Sequence, residues 1–402
     1  MDIPLASAAG SGRRAARNAR APRLPSLTGM RFVAALMVFL SHLTLQDLFA
    51  DDGVQQSLTA TFIQGGFTGV GFFFVLSGFV LAWSAREKDT ARTFWRRRFF
   101  KIYPNDVVTF IAAALLLGFV ANETFDFGTA ALNLSLVQAW APVDGGFNIV
   151  SWSLSCEVLF YLSFPLLFRY IRRIRPDRLW LWAGVVVAMI LLVPLAATSL
   201  PNEPYLWYAE TSVPRFWFVY AFAPVRLLDF VFGILLARVV LEGRRLPLGL
   251  GWAAVLSVAA YAVAPLFPMT YKLTAITVVP LGLLIAAGAV ADRDGRRPFL
   301  AGRRMVWLGE VSFAFYMVHW LVLTFGVRWL GNQWGTPAGL GVAALLFGVT
   351  LALSWLLHAG VERPIMRRFS LRRRPRLVLY RQEPASAKAA APEPTVRMED
   401  HG

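Results

Sequence analysis

LTGMRFVAALMVFLSHLTLQDLF, residues 27–49, is apolar enough to enter a bilayer yet carries one arginine and one histidine. Arg31 and His42 stand eleven residues apart. At 100° per residue that is about three turns plus roughly 20°, so both side chains leave the same helix face. The rise between them is about 16 Å. An arginine at the centre of a spanning helix costs roughly 2.5–3.5 kcal/mol on insertion scales. Such residues face a protein interior or a watery cavity and mark a function. The pattern therefore predicts a membrane helix with a site on one face.

The rest of the chain reads the same way. Its apolar fraction is 57% and its charged fraction 16%, against about 45–50% and about 25% in soluble domains. Spans of about 20 residues are expected roughly at 27–46, 66–85, 102–120, 151–168, 179–199, 221–241, 249–266, 273–291, 305–330 and 338–359. The predicted fold is all-α, a polytopic membrane helix bundle of about ten transmembrane helices. The net charge of +16 would suit nucleic acid if it were spread evenly, but it is not. The loops and tails at 1–24, 86–101, 169–178, 238–245, 292–304 and beyond the last span hold 35 of the 40 basic residues. The alternate loops hold only Arg215, Lys272 and Arg328. This is the positive-inside pattern, with both termini cytoplasmic in the cell membrane, and nucleic acid is not an expected partner.

Residues 1–25 and 369–402 read as basic, disordered cytoplasmic tails, rich in Arg, Ala and Pro without apolar periodicity. The arginine run 372–374 reads as a stop-transfer flank that meets anionic headgroups. No internal repeat is visible, which counts against many transporter folds. Segment 122–150 lacks Lys and Arg and reads as interfacial or re-entrant. Segment 200–220 is aromatic, as an interfacial belt or an acceptor lining would be. The single cysteine, Cys156, precludes an internal disulfide. Four histidines without HExxH argue against a metal centre.

Further motifs follow in order: GVGFFFVLSGFVLAWS (69–84), FWRRRFFKIYP (94–104), SWSLSCEVLFYLSFPLL (151–167), RLLDFVFG (226–233), VSFAFYMVHW (311–320) and VERP (361–364). With Arg31-x10-His42 these resemble the membrane acyltransferase-3 family. That family includes O-antigen and exopolysaccharide O-acetyltransferases, Nod-factor acetylases and macrolide 3-O-acyltransferases. The resemblance runs from about Ser26 to Arg368. It implies an integral membrane O-acyltransferase that moves a short acyl group from acyl-CoA, a co-substrate and not a resident cofactor, to a hydroxyl of a sugar or polyketide. The LTGMRFVAAL opening resembles the macrolide enzymes. A transporter or lipid flippase is the reading from a different class.

An imidazole accepts a proton near neutral pH, so His42 is the candidate general base. The resemblance places the CoA phosphates near Arg31, and near Arg98 and Lys101, which match the family's R-x-x-R with lysine in second place. Arginine holds phosphate bidentately, whereas lysine keeps only the charge. Glu157 is a second catalytic candidate, free to orient His42, bind substrate or pair with an intramembrane arginine. Trp152 and His319 are candidate substrate contacts. Arg226 and Asp229, at i and i+3, predict an ion pair, Cys156 reads as packing, and Glu362 as a structural part of the closing motif.

Overall fold

The computed structural model describes residues 23–85, 89–121, 126–142, 146–206, 209–296 and 298–370. The two tails lie outside these except at their inner edges. There Pro25 already opens the first helix, and a π-helical stretch carries the chain out to Ser370.

The main helices are α1 (Pro25–Thr44), α2 (Asp52–Trp83), α3 (Ala91–Leu115), α4 (Phe127–Leu134), α5 (Trp152–Ile171), α6 (Leu179–Ala197), α7 (Ala223–Leu241), α8 (Leu250–Val263), α9 (Val278–Arg293), α10 (Arg303–Leu330) and α11 (Thr336–Leu357). The strand content of the described residues is one two-stranded hairpin, Tyr205–Leu206 with Thr211–Ser212. The protein is an all-α membrane bundle. Among the described residues, seven helices are long and apolar enough to cross a bilayer. The other three expected spans, at α7, α8 and α9, are shorter or carry more charge, so length and composition alone do not establish ten crossings. Helix α7 carries Arg226, Asp229 and Arg238. Helix α9 has 16 residues, about 24 Å against a hydrocarbon core of about 30 Å. Helix α8 reaches only Leu266, even with a 3-10 turn added.

Helix α1 lies at the centre, packed against α2, α9 and α10. Its entry is fixed by α9: the Asp292 carboxylate accepts from Ser26 N at 2.9 Å and from Ser26 Oγ at 2.5 Å. A carboxylate at a helix N-terminus satisfies orphan N–H groups and complements the dipole. Its exit is fixed by the loop before α11, where Ala50 N donates to Trp334 O and Trp334 N to Leu48 O, each at 2.9 Å. The helix that carries Arg31 and His42 is thus pinned at both ends.

Helices α2 and α7 cross at paired glycines. A Cβ on Gly78 would collide with the Phe230 carbonyl, and one on Gly233 with the Val75 carbonyl. Small residues let membrane helices approach backbone to backbone, where packing replaces the missing hydrophobic drive. The outer faces stay apolar where they meet lipid: Leu181, Leu192 and Leu195 of α6 and Val258 of α8 are exposed, as the absence of water in the bilayer allows.

Between α3 and α5 the described residues form α4 and two 3-10 turns, Gln138–Trp140 and Ile149–Ser151. Gln138 Nε2 donates to Ser151 Oγ (2.9 Å) and Asn148 Nδ2 to Met317 O (2.8 Å).

Candidate active site

His42 sits half a turn before the end of α1, and its Nδ1 lies 2.9 Å from Nε2 of His319 on α10. The rings are nearly parallel, 8° apart, with centroids 5.1 Å apart. His319 is fully buried, and its Nδ1 faces the carbonyl oxygen of Tyr316 at 2.7 Å. These contacts assign the protons. A carbonyl only accepts, so His319 Nδ1 carries hydrogen and the Nε2 of the neutral ring is a lone pair. His42 Nδ1 must then donate to it. In neutral His42 the remaining lone pair is on Nε2. That nitrogen has no hydrogen-bond partner among the described residues and is not among the fully buried polar atoms. The ring is held edge-to-face by Trp320 at 5.2 Å. An accessible imidazole nitrogen, oriented from behind by a second imidazole, has the form of a general base.

Three turns down α1, Arg31 opens into a cavity of about 60 Å³ lined also by Phe73, Phe74, Ser153, Glu157, Phe313 and Tyr316. Arg31 makes no hydrogen bond or ion pair with a described residue. Glu157 accepts from the Tyr161 hydroxyl at 2.9 Å. No bond joins it to His42, whose orienting partner is His319. Tyr316 links the two places: it lines the Arg31 cavity, stands 5.7 Å from His319 ring to ring, and supplies the carbonyl that fixes the His319 proton.

Arg98 and Lys101 come from α3 to the same region: Arg98 lies over the ring of Tyr161, whose hydroxyl donates to Glu157, and Lys101 lies over the ring of Phe313, which lines the cavity. Arg98 lies over the rings of Phe94 (5.7 Å) and Tyr161 (5.9 Å). The Lys101 ammonium is engaged. It pairs with Glu362, which also accepts from Asn105 Nδ2 at 3.3 Å and His358 Nδ1 at 3.2 Å, and it lies 5.2 Å from the Phe313 ring. Glu362, read from sequence as structural, is thus the ion-pair partner of Lys101, 261 positions away. The available signal was chemical: a carboxylate in an apolar closing segment needs a donor when buried.

Trp152 lies in an aromatic group with Tyr220 at 4.8 Å and Phe74 at 6.0 Å. Tyr220 in turn meets Phe67 at 5.1 Å and Phe216 at 5.4 Å. The aromatic 200–220 segment therefore packs inward in part; Trp207 and Tyr208 lie outside the described residues. Arg226 and Asp229 are buried and paired, Nη1 to Oδ2 at 3.0 Å. The approach is too oblique for a hydrogen bond, so their contact is charge against charge. Cys156 is fully buried and points its thiol at Ala221 O, 3.4 Å away. Among the described residues no three His, Cys, Asp or Glu side chains gather as metal ligands would.

The bundle thus sets a paired imidazole three turns from a cationic cavity along one helix, groups suited to moving a proton beside an anionic ligand. Residues 24–359 match the acyltransferase domain family described as Acyl_transf_3, and the chain belongs to that family. It is 42% identical over 387 residues to the acyltransferase MdmB of Streptomyces mycarofaciens, a match spanning 92% of this chain and 98% of that protein. It is 28% identical over 325 residues to the exopolysaccharide production protein ExoZ of Rhizobium meliloti, covering 77% and 92%. With the peptidoglycan O-acetyltransferase OatA of Listeria monocytogenes it shares 24% identity over 85% of this chain but only 56% of that longer protein. No solved structure matches the chain.

Proposed function

We propose that this membrane acyltransferase moves a short acyl group from acyl-CoA to a hydroxyl of a macrolide-type antibiotic. The observation that carries the chemistry is the hydrogen-bond chain from Tyr316 O through His319 to His42, which leaves His42 Nε2 as an accessible base. The acceptor hydroxyl gives its proton to Nε2 as its oxygen attacks the thioester carbonyl. The new imidazolium keeps its Nδ1–H on His319. When the C–S bond breaks, the thiolate takes the proton back from Nε2, and ester and free CoA leave. No side chain needs to carry the acyl group, and the buried Cys156 is remote from that duty.

The phosphates of CoA are assigned to Arg31 and Arg98. Lys101, held by Glu362, adds positive field, while the rise of about 16 Å between Arg31 and His42 suits an extended pantetheine arm. Trp152 and its aromatic neighbours are assigned to the acceptor. Purified protein given acetyl-CoA and a hydroxylated macrolide should release free thiol and form the ester. Acceptor-dependent thiol release that never appears, in protein shown to be folded, would count against the donor. Arg98→Ala should chiefly raise KM for acyl-CoA, as loss of uniform binding does, and an unchanged donor KM would remove Arg98 from that site.

Carbohydrate acceptors are the second reading, favoured by where His42 lies. Loop charge puts the start of α1 at the cytoplasmic face, so His42, near its other end, is displaced toward the far side, where an exported glycan would stand. Topology is open to a direct test. A cysteine at Thr90 should resist an impermeant maleimide in intact cells, and one at Asp52 should label. The reverse pattern would invert the assignment of both termini and of the CoA side.

A further inference from the structure

A second cavity lies outside the catalytic region. It is a groove of about 670 Å³ between α3, α10 and α11, with walls that include Val108, Ala112, Leu321, Phe325, Val349 and Leu353. All three helices are among those long enough to span a bilayer, and the groove opens sideways: Leu345, Leu356 and Trp329 on its rim are 53%, 54% and 66% exposed. One side therefore faces the hydrocarbon of the membrane.

The groove has a charged end. Its wall on the α11 side runs from Leu345 to Val361. The chain then continues as helical turns through Arg363, Arg367 and Arg368. All three arginines are exposed, and none forms an ion pair or hydrogen bond with a described residue. Phe369 stacks on Phe100 of α3 at 4.8 Å, and the Arg368 guanidinium lies 5.4 Å over the Phe369 ring. That ring pair ties the basic turn to α3, the opposite wall of the groove. The last arginine is seven residues beyond Val361, about 10 Å along a helix. Apolar walls thus lead, at one end of the groove, to three exposed guanidiniums that pair with no described residue.

We infer that this groove is a binding site for an anionic phospholipid of the leaflet next to the basic loops. One acyl chain lies between α3, α10 and α11, and the phosphate is held by Arg363, Arg367 and Arg368. Guanidinium forks match phosphate oxygens bidentately, and basic residues beside a span draw anionic lipid. Charge also sets this occupant apart from a second copy of the chain. A chain of net charge +16 would bring like charge to the arginine end, whereas a lipid phosphate neutralises it.

The test uses full-length protein in nanodiscs of equal phosphatidylglycerol and phosphatidylcholine, extracted into mild detergent and weighed by native mass spectrometry. Wild type should retain phosphatidylglycerol over phosphatidylcholine by at least several-fold. The triple variant Arg363→Gln/Arg367→Gln/Arg368→Gln should retain both equally. Val349→Trp, which fills the groove from its half-open wall, should lose retained lipid of either kind. Equal retention by wild type, or an unchanged preference in the arginine variant, would overturn the site. So would disulfide cross-linking between copies carrying Val349→Cys, which would put a second chain in the groove. The three arginines lie on the surface, so their variant keeps the test alive if Val349→Trp fails to fold.

Discussion

His42→Ala protein should insert, fold and bind donor normally while losing about 10²–10⁴ in kcat, the factor a positioned general base supplies. The geometry explains why the loss should fall on kcat. His42 Nε2 has no partner among the described residues, so beyond the ring's contacts with His319 and Trp320 its removal subtracts an interaction that forms as the acceptor proton moves. The Arg31 cavity lies three turns away and keeps its lining, so KM for acyl-CoA should change little. Steady-state kinetics on the purified variant, with thermal unfolding as the control for folding, would check this. Turnover within threefold of wild type in well-folded protein would remove His42 from the chemistry. An acyl-enzyme trapped on Cys156 would replace direct transfer with a covalent route.

Local periodicity made part of this site legible, and distant contacts hid the rest. Arg31 and His42 share a helix, so 3.6-residue geometry alone put them on one face. Arg98 and Lys101 stood out only through the resemblance, which matched them to the family's R-x-x-R motif. Convergence of α1, α3 and α5 on Glu157 is a fact of packing, yet it gathers residues that the family motifs had already marked. The His42–His319 contact was not legible. A stripe of Ser312, Tyr316 and His319 shows which face of α10 is polar, but not which helix meets it 277 residues away. The partner of Glu362 was hidden in the same way: its burial was foreseeable, but Lys101 on α3 was not. The span count exposes a different limit. Hydropathy marks apolar segments well, but it does not distinguish a full crossing from α9, whose 16 residues are short for the hydrocarbon core.

His319 should matter almost as much as His42, and for a different reason. Both of its ring nitrogens are occupied, one by the Tyr316 carbonyl and one by His42, so it has none left for substrate. Its role is to hold the His42 tautomer that exposes Nε2 and to accept from the Nδ1–H that remains when His42 takes a proton. His319→Ala frees His42 to rotate and to carry its hydrogen on either nitrogen. The resulting loss in kcat should approach, without exceeding, the about 10²–10⁴ that the base supplies. Residues that act as one unit are strongly non-additive, so the double variant His42→Ala/His319→Ala should be no slower than His42→Ala alone. His319→Gln offers a finer comparison, because its carbonyl oxygen can accept from His42 Nδ1 where alanine cannot, and it should recover part of the loss. The buried site makes folding the necessary control, read by thermal unfolding and by donor KM. Multiplicative losses in the double variant, with both single variants folded, would mean that the two histidines act in separate steps. The orienting role would then fail even if His42 stood as the base.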